Sequence, residues 1–197
     1  MICPQLAQCV DNLQRKTLSI PPQKGKKSKR KKRTRKTFYN TPCKKEESAN
    51  KCIVFFDKRE TPTCTENGKV YSLSIGKHEF DCVCVHIDSG VVDTVDCCKC
   101  DYSLFFKDKE KRVILVELKG TSVGHAIEQI DATLQLEPLK AAFDGRKVYG
   151  RISCTSGVPR IYSPAQVKLQ RKLLQHGGNL NINRTPFVED YSLLDSV

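Results

Sequence analysis

The sequence predicts a mixed α/β domain, a central β-sheet flanked by helices, preceded by a basic segment that stays outside the fold. Three observations predict this. Ten of the thirteen residues 24–36 are Lys or Arg and none is apolar, so that stretch has nothing to bury and repels itself. From about residue 50 the chain breaks into short β-rich runs separated by turn residues. Beyond residue 120 the apolar period lengthens to that of a helix, and a strand and a second helix follow.

In order along the chain, Leu6, Val10 and Leu13 fall at helical spacing, so residues 1–20 read as a short amphipathic helix closed by Pro21-Pro22. Residues 24–36 are expected to be disordered unless a polyanion orders them, and residues 1–45 as a whole form the N-terminal segment. The domain proper is read as residues 46–197. Runs at 52–57, 70–75 and 79–87 are strands, separated by turn signals at Glu66-Asn67-Gly68 and Ile75-Gly76. Runs at 100–106 and 112–120 form a hairpin across the wholly charged connector KDKEK. The second run contains Val113-Ile114-Leu115-Val116, apolar on both faces, which suits a central strand covered on both sides. Val123, Ala126, Ile127, Ile130 and Leu134 then give an amphipathic helix that Pro138 ends or kinks. Val148–Cys154 is a further strand. Ser163 caps a last helix with Pro164 in its first position and Val167, Leu169, Leu173 and Leu174 as its stripe, and Gly177-Gly178 stops it.

Charge and composition narrow the function classes. The formal net charge is +12; ten of those charges lie in residues 24–36, which leaves about +2 for the rest, so the basicity belongs to the arm. No apolar run approaches the roughly 18 to 20 residues that cross a bilayer, and no signal-like order opens the chain, so no membrane partner is expected. Eleven cysteines, an odd number set mostly in strand-like runs, point to reduced packing thiols and an intracellular location. Cys82, Cys84, Cys97, Cys98 and Cys100 could also supply thiolates to zinc, but the usual C-x₂-C spacing is missing from both halves. Alternation would place Cys82, Cys84 and His86 on one face of a strand. The arm itself (Lys26, Lys27, Lys29, Arg30, Lys31, Lys32, Arg33, Arg35 and Lys36) suits phosphate binding, nuclear import, or both.

The chemistry centres on Glu117 and Lys119. Side chains two apart on a strand share a face, so a carboxylate and an ammonium project together from the end of the most apolar run in the chain. Buried charges need partners. Asp101 opens the preceding strand, and hairpin pairing brings it alongside Glu117. Two carboxylates from adjacent strands make an oxygen-rich pocket suited to Mg²⁺. Lys119 can hold the attacking water and balance charge developing on phosphorus.

These residues resemble the PD-(D/E)xK nuclease superfamily. The shared elements are the acid in Cys100-Asp101-Tyr102, the triplet Glu117-Leu118-Lys119, and the helix after it carrying Gln129, like the polar residue many members place near the metal or the scissile phosphate. Cys100 stands where the motif has Pro. The resemblance spans roughly residues 80–155. It implies a restriction-endonuclease-like core and hydrolysis of nucleic-acid phosphodiesters, DNA favoured over RNA, with Mg²⁺ or Mn²⁺. The metal would sit on Asp101 and Glu117, with Lys119 and Gln129 completing the catalytic set. Members often add an acid from an N-terminal helix; Glu46 and Glu47 are equal candidates, and Asp88 is a third. Cleaving both strands of a duplex would take two sites, hence a homodimer. The competing reading is a catalytically silent nucleic-acid-binding or assembly protein that keeps the fold.

Overall fold

A computed structural model describes residues 52–196 apart from residues 78–79, 89, 93–97, 138, 157 and 159–161, together with Leu6, Val10, Asp11 and the backbone of residues 14–18 and 36–40. Strands β1 (Gln14–Leu18) and β2 (Lys36–Asn40) pair antiparallel as a separate ribbon. Strand therefore replaces the expected helix at residues 14–18, while Leu6, Val10 and Asp11 are helical, and Lys36 opens a strand where disorder was expected. The Thr, Phe and Tyr content of the two strands favours that pairing. The remainder of the basic tract, Lys26 through Arg35, lies outside the described residues.

The main sheet has six strands: β3 (Ile53–Asp57), β6 (Cys82–His86), β7 (Tyr102–Phe106), β8 (Val113–Lys119), β9 (Val148–Cys154) and β10 (Leu180–Arg184). They lie side by side in that order, antiparallel from β3 to β8 and parallel from β8 to β10. The hairpin β7–β8 supplies the antiparallel half. Helix α1 (Val123–Thr133), the short α2 (Leu139–Phe143) and α3 (Pro164–Gln175) belong to the crossovers of the parallel half, as parallel strands require.

The two faces of this sheet are covered differently. Val113 and Leu115 of β8, with Val148 and Ile152 of β9, pack under Val123, Ala126, Ile127 and Ile130 of α1 and Leu169 and Leu173 of α3. Leu6 and Val10, from the N-terminal segment, are buried in the same layer. The opposite face, with Ile114, Val116 and Leu118, is covered by a second sheet in place of helices: β4 (Thr63–Glu66), β5 (Lys69–Ser74) and β11 (Phe187–Asp190). Among the described residues the α-helices thus flank the main sheet on one side only, with a single 3₁₀ turn, Tyr191–Leu193, on the other. Asn67 and Gly68, with φ of 47° and 75°, form the two-residue turn joining β4 to β5, a conformation that favours Asn-Gly.

At its end α3 keeps the predicted stop. Gly177 takes φ 73°, and the N–H groups of Gly177 and Gly178 return to the carbonyls of Leu174 and Leu173. Its stripe is narrower than predicted: Leu169 and Leu173 are buried, Val167 is half-buried and Leu174 is exposed. Ser163 caps the helix by accepting from the Gln166 N–H at 3.2 Å.

Candidate active site

The end of β8 is where apolar packing gives way to charge. Tyr102 pairs with Val116, so continuing the antiparallel register by one residue sets Asp101 opposite Glu117. Asp101 is tied at both its carbonyl and its side chain. Its carbonyl accepts from Ile87 N–H at 2.8 Å, and its Oδ2 accepts from Leu118 N–H at 2.7 Å. Glu117 faces the helix layer and is 1% exposed. Lys119 Nζ lies 3.3 Å from Glu117 Oε1 and donates to Gln129 Oε1 at 2.5 Å. Gln129 in turn donates through Nε2 to the Lys99 carbonyl at 2.8 Å. One turn along α1, the Thr133 hydroxyl donates to the Gln129 carbonyl and accepts from Cys100 N–H. Helix α1 therefore holds both the lysine and the segment leading into Asp101.

The electrostatics follow from burial. Desolvation raises the pKa of Asp101 to about 7, opposed by the Leu118 N–H and by Lys119 and reinforced by nearby Glu66. Desolvation likewise raises Glu117 to about 8, with the charge on Asp101 adding to it and Lys119 opposing it. Burial thus holds both acids above the ordinary carboxylate range. Glu117 Oε2 is buried with no hydrogen-bond partner, although the other oxygen of the same carboxylate meets Lys119. An oxygen in that state is suited to a cation. Asp101 and Glu117 offer hard oxygen donors, the type Mg²⁺ and Mn²⁺ prefer, and Mg²⁺ commonly keeps several waters alongside one or two carboxylates. Among the described residues no three His, Cys, Asp or Glu side chains are gathered to hold a metal ion.

The sequence candidates divide accordingly. Asp101, Glu117, Lys119 and Gln129 come together. Asp88 does not join them; its Oδ1 lies 3.2 Å from the buried Lys99 ammonium. Glu46 and Glu47 lie outside the described residues, as do Lys26 through Arg35, and the Lys36 side chain is not described. Among the described cysteines, Cys64, Cys82, Cys84, Cys100 and Cys154 are in no disulfide. Cys82 and Cys84 lie under the second sheet and Cys100 under the helices, so those three do not converge on one zinc ion. His86 stacks on Tyr102 at 4.9 Å, and His125 is exposed beside Glu128.

Sequence reasoning missed Glu66. It ends β4, acts on Asp101 through charge and through contact between the two carboxyl groups, and keeps Oε2 buried without a partner. An acid beside an Asn-Gly turn reads as a solvated hairpin tip, so no local signal marks it. Thr133 was also missed; its position four residues after Gln129 on the inner helix face was the available clue. No family model, curated protein or solved structure matches this chain.

Proposed function

We propose that this protein is a divalent-metal-dependent nuclease that hydrolyses phosphodiester bonds of nucleic acid, with Asp101 and Glu117 as metal ligands. The observation that carries this reading is the buried, unpartnered Glu117 Oε2 beside a lysine held by its neighbours. Here one oxygen faces the lysine, and the second remains for a cation.

A bound divalent cation supplies Lewis acidity toward a phosphate oxygen and toward water. The residues of the chain do the rest. Glu117, on β8, and Asp101, next to the start of β7, are the residues that would hold the cation. Lys119 presents its ammonium from the same strand face as Glu117, where it can hold the attacking water and balance charge as the phosphorus gains a fifth oxygen. Gln129 fixes that ammonium by accepting from it, and its own amide is anchored on the Lys99 carbonyl. This second tier reduces the freedom of a flexible side chain at the point where orientation matters. The basic tract, in this reading, adds affinity for phosphates that is indifferent to sequence.

The test is incubation of the full chain with single- and double-stranded DNA and RNA in Mg²⁺, Mn²⁺ or EDTA, alongside Glu117→Gln. Metal-dependent cleavage that the variant lacks supports the proposal. Nucleic-acid binding without cleavage under every metal condition would support the silent binding protein instead.

A further inference from the structure

Helix α3 buries Leu169 and Leu173 and turns a cationic face outward. Lys168, Arg171 and Lys172 fall at i, i+3 and i+4, hence on one side, and the helix contains no acid. A cavity of about 480 Å³ runs along this side, walled by Tyr162, Val167, the three cations and Gln175 among others. Lys172 meets Asp131 of α1. Lys168 and Arg171 are exposed and have no carboxylate partner among the described residues. Tyr162 is 73% exposed at the head of the groove. Like charges at this spacing oppose each other by a few tenths of a kcal/mol in an isolated helix, so a plain solvated face gains nothing from grouping them. An anion lying along the face gains from all of them.

We infer that this groove is a binding site for single-stranded nucleic acid, in which an unpaired base stacks on Tyr162 while flanking phosphates meet Lys168 and Arg171. Cations alone would serve any polyanion. The exposed ring and the apolar Val167 wall specify a ligand with a flat face next to its charges, and a paired base within a duplex has no free face to offer. Placement agrees. β9 leaves the main sheet at Cys154, the register partner of Lys119, and Tyr162 is the eighth residue after it. Because β10 runs parallel to β9 and follows α3, the helix returns from the Lys119 end of the sheet, and its N-terminal end, with the groove's head, lies toward that end. As a statement about substrate it rests on the nuclease reading; as a binding site it does not.

Fluorescence anisotropy of the full chain in EDTA, with a labelled oligodeoxythymidine and a duplex of equal length, tests this. Tyr162→Ala should weaken single-strand binding roughly fivefold to a hundredfold, a loss that persists as salt is raised, and leave duplex binding unchanged. Tyr162→Phe should restore it. The double variant Lys168→Glu/Arg171→Glu should make the slope of log affinity against log salt shallower by about 1.4, at ~0.7 for each single-strand phosphate no longer neutralised. Unchanged affinity and slope would overturn the inference, as would equal losses for duplex, or full competition by polyglutamate at equal charge. Cleavage of the same oligonucleotide in Mg²⁺ by the unaltered chain separates the two claims. Cleavage with groove variants that bind normally sinks the groove alone; groove-dependent binding without cleavage sinks the nuclease reading alone.

Discussion

Asp101 has two roles, and they call for different substitutions. Besides facing Glu117 it accepts the buried Leu118 N–H, so Asp101→Ala strands a backbone donor and should cost about 1 to 3 kcal/mol of stability. Asp101→Asn keeps an acceptor there and should retain the fold while losing metal-dependent cleavage, which thermal melts and a cleavage assay would separate. Lys119→Ala should lower cleavage on the order of a hundredfold to a thousandfold with Mn²⁺ affinity largely kept, and Gln129→Ala roughly ten- to a hundredfold. Retained activity in Lys119→Ala would mean the wrong lysine has been named. A pH effect follows from the raised acids. Each binds its proton more tightly folded, at about 7 and about 8, than in the unfolded chain, near 3.9 and 4.3. The metal-free protein should therefore lose stability as pH rises from about 4 toward 8, and Mn²⁺ should restore it at pH 8. In melts across that range, Glu117→Gln should show a flatter slope than the unaltered chain; an identical slope would remove Glu117 as a cause. At this scale the sequence exposed the Glu-x-Lys pair because two-residue periodicity is local. It hid Glu66 because nothing near residue 66 indicates that its hairpin folds over Asp101.

Among elements, those whose periodicity is strong are found where the sequence predicts them: β9 at both ends, β8 within a residue, and α1 with its buried stripe of Val123, Ala126, Ile127 and Ile130. Of the second sheet only β5, predicted at 70–75, was legible. β4 is four residues of alternating Thr, Cys and Glu, and β11, like β10 of the main sheet, lies beyond the helix stop, where the sequence predicts no element. What joins this sheet to the main one is a buried polar network. Arg151 of β9, 1% exposed, binds Glu189 of β11 through Nε at 2.5 Å and Asn179 through Nη1. Tyr71 of β5 donates to the same Glu189 oxygen at 2.6 Å. Arg151→Ala would leave Glu189 as an uncompensated charge facing the core, and a loss of about 3 to 5 kcal/mol is expected in denaturant unfolding. A loss under about 1 kcal/mol, the range of a surface pair, would show the network to be peripheral. Gly178 marks a second tight junction: a Cβ there would lie 2.0 Å from the Val148 carbonyl oxygen, a backbone atom that cannot step aside, so Gly178→Ala should also destabilise.

For the molecule as a whole, the proposed function assigns catalysis and sequence-indifferent affinity to different parts of the chain. Deleting residues 24–35 should leave turnover at saturating substrate unchanged. It should also make the salt dependence of binding shallower, by up to roughly 0.7 to 0.9 for each phosphate the arm had neutralised. Lost turnover with intact binding would place the arm inside the site. The sheets also differ in how far apart their partners lie in the chain. Neighbours in the antiparallel half of the main sheet are mostly close in sequence, whereas β11 pairs with β5 through Phe187 and Tyr71, 116 positions apart. On a ribosome adding about 5 to 20 residues per second, β5 therefore emerges many seconds before its partner exists. Through that interval Tyr71 and Leu73 lack the cover that Phe187 later provides, and the hairpin carrying Glu66 lacks its outer strand. The acidic pocket is thus finished late in the life of the nascent chain, at the same stage as β10 completes the main sheet, and until then the newborn protein offers an apolar surface to chaperones.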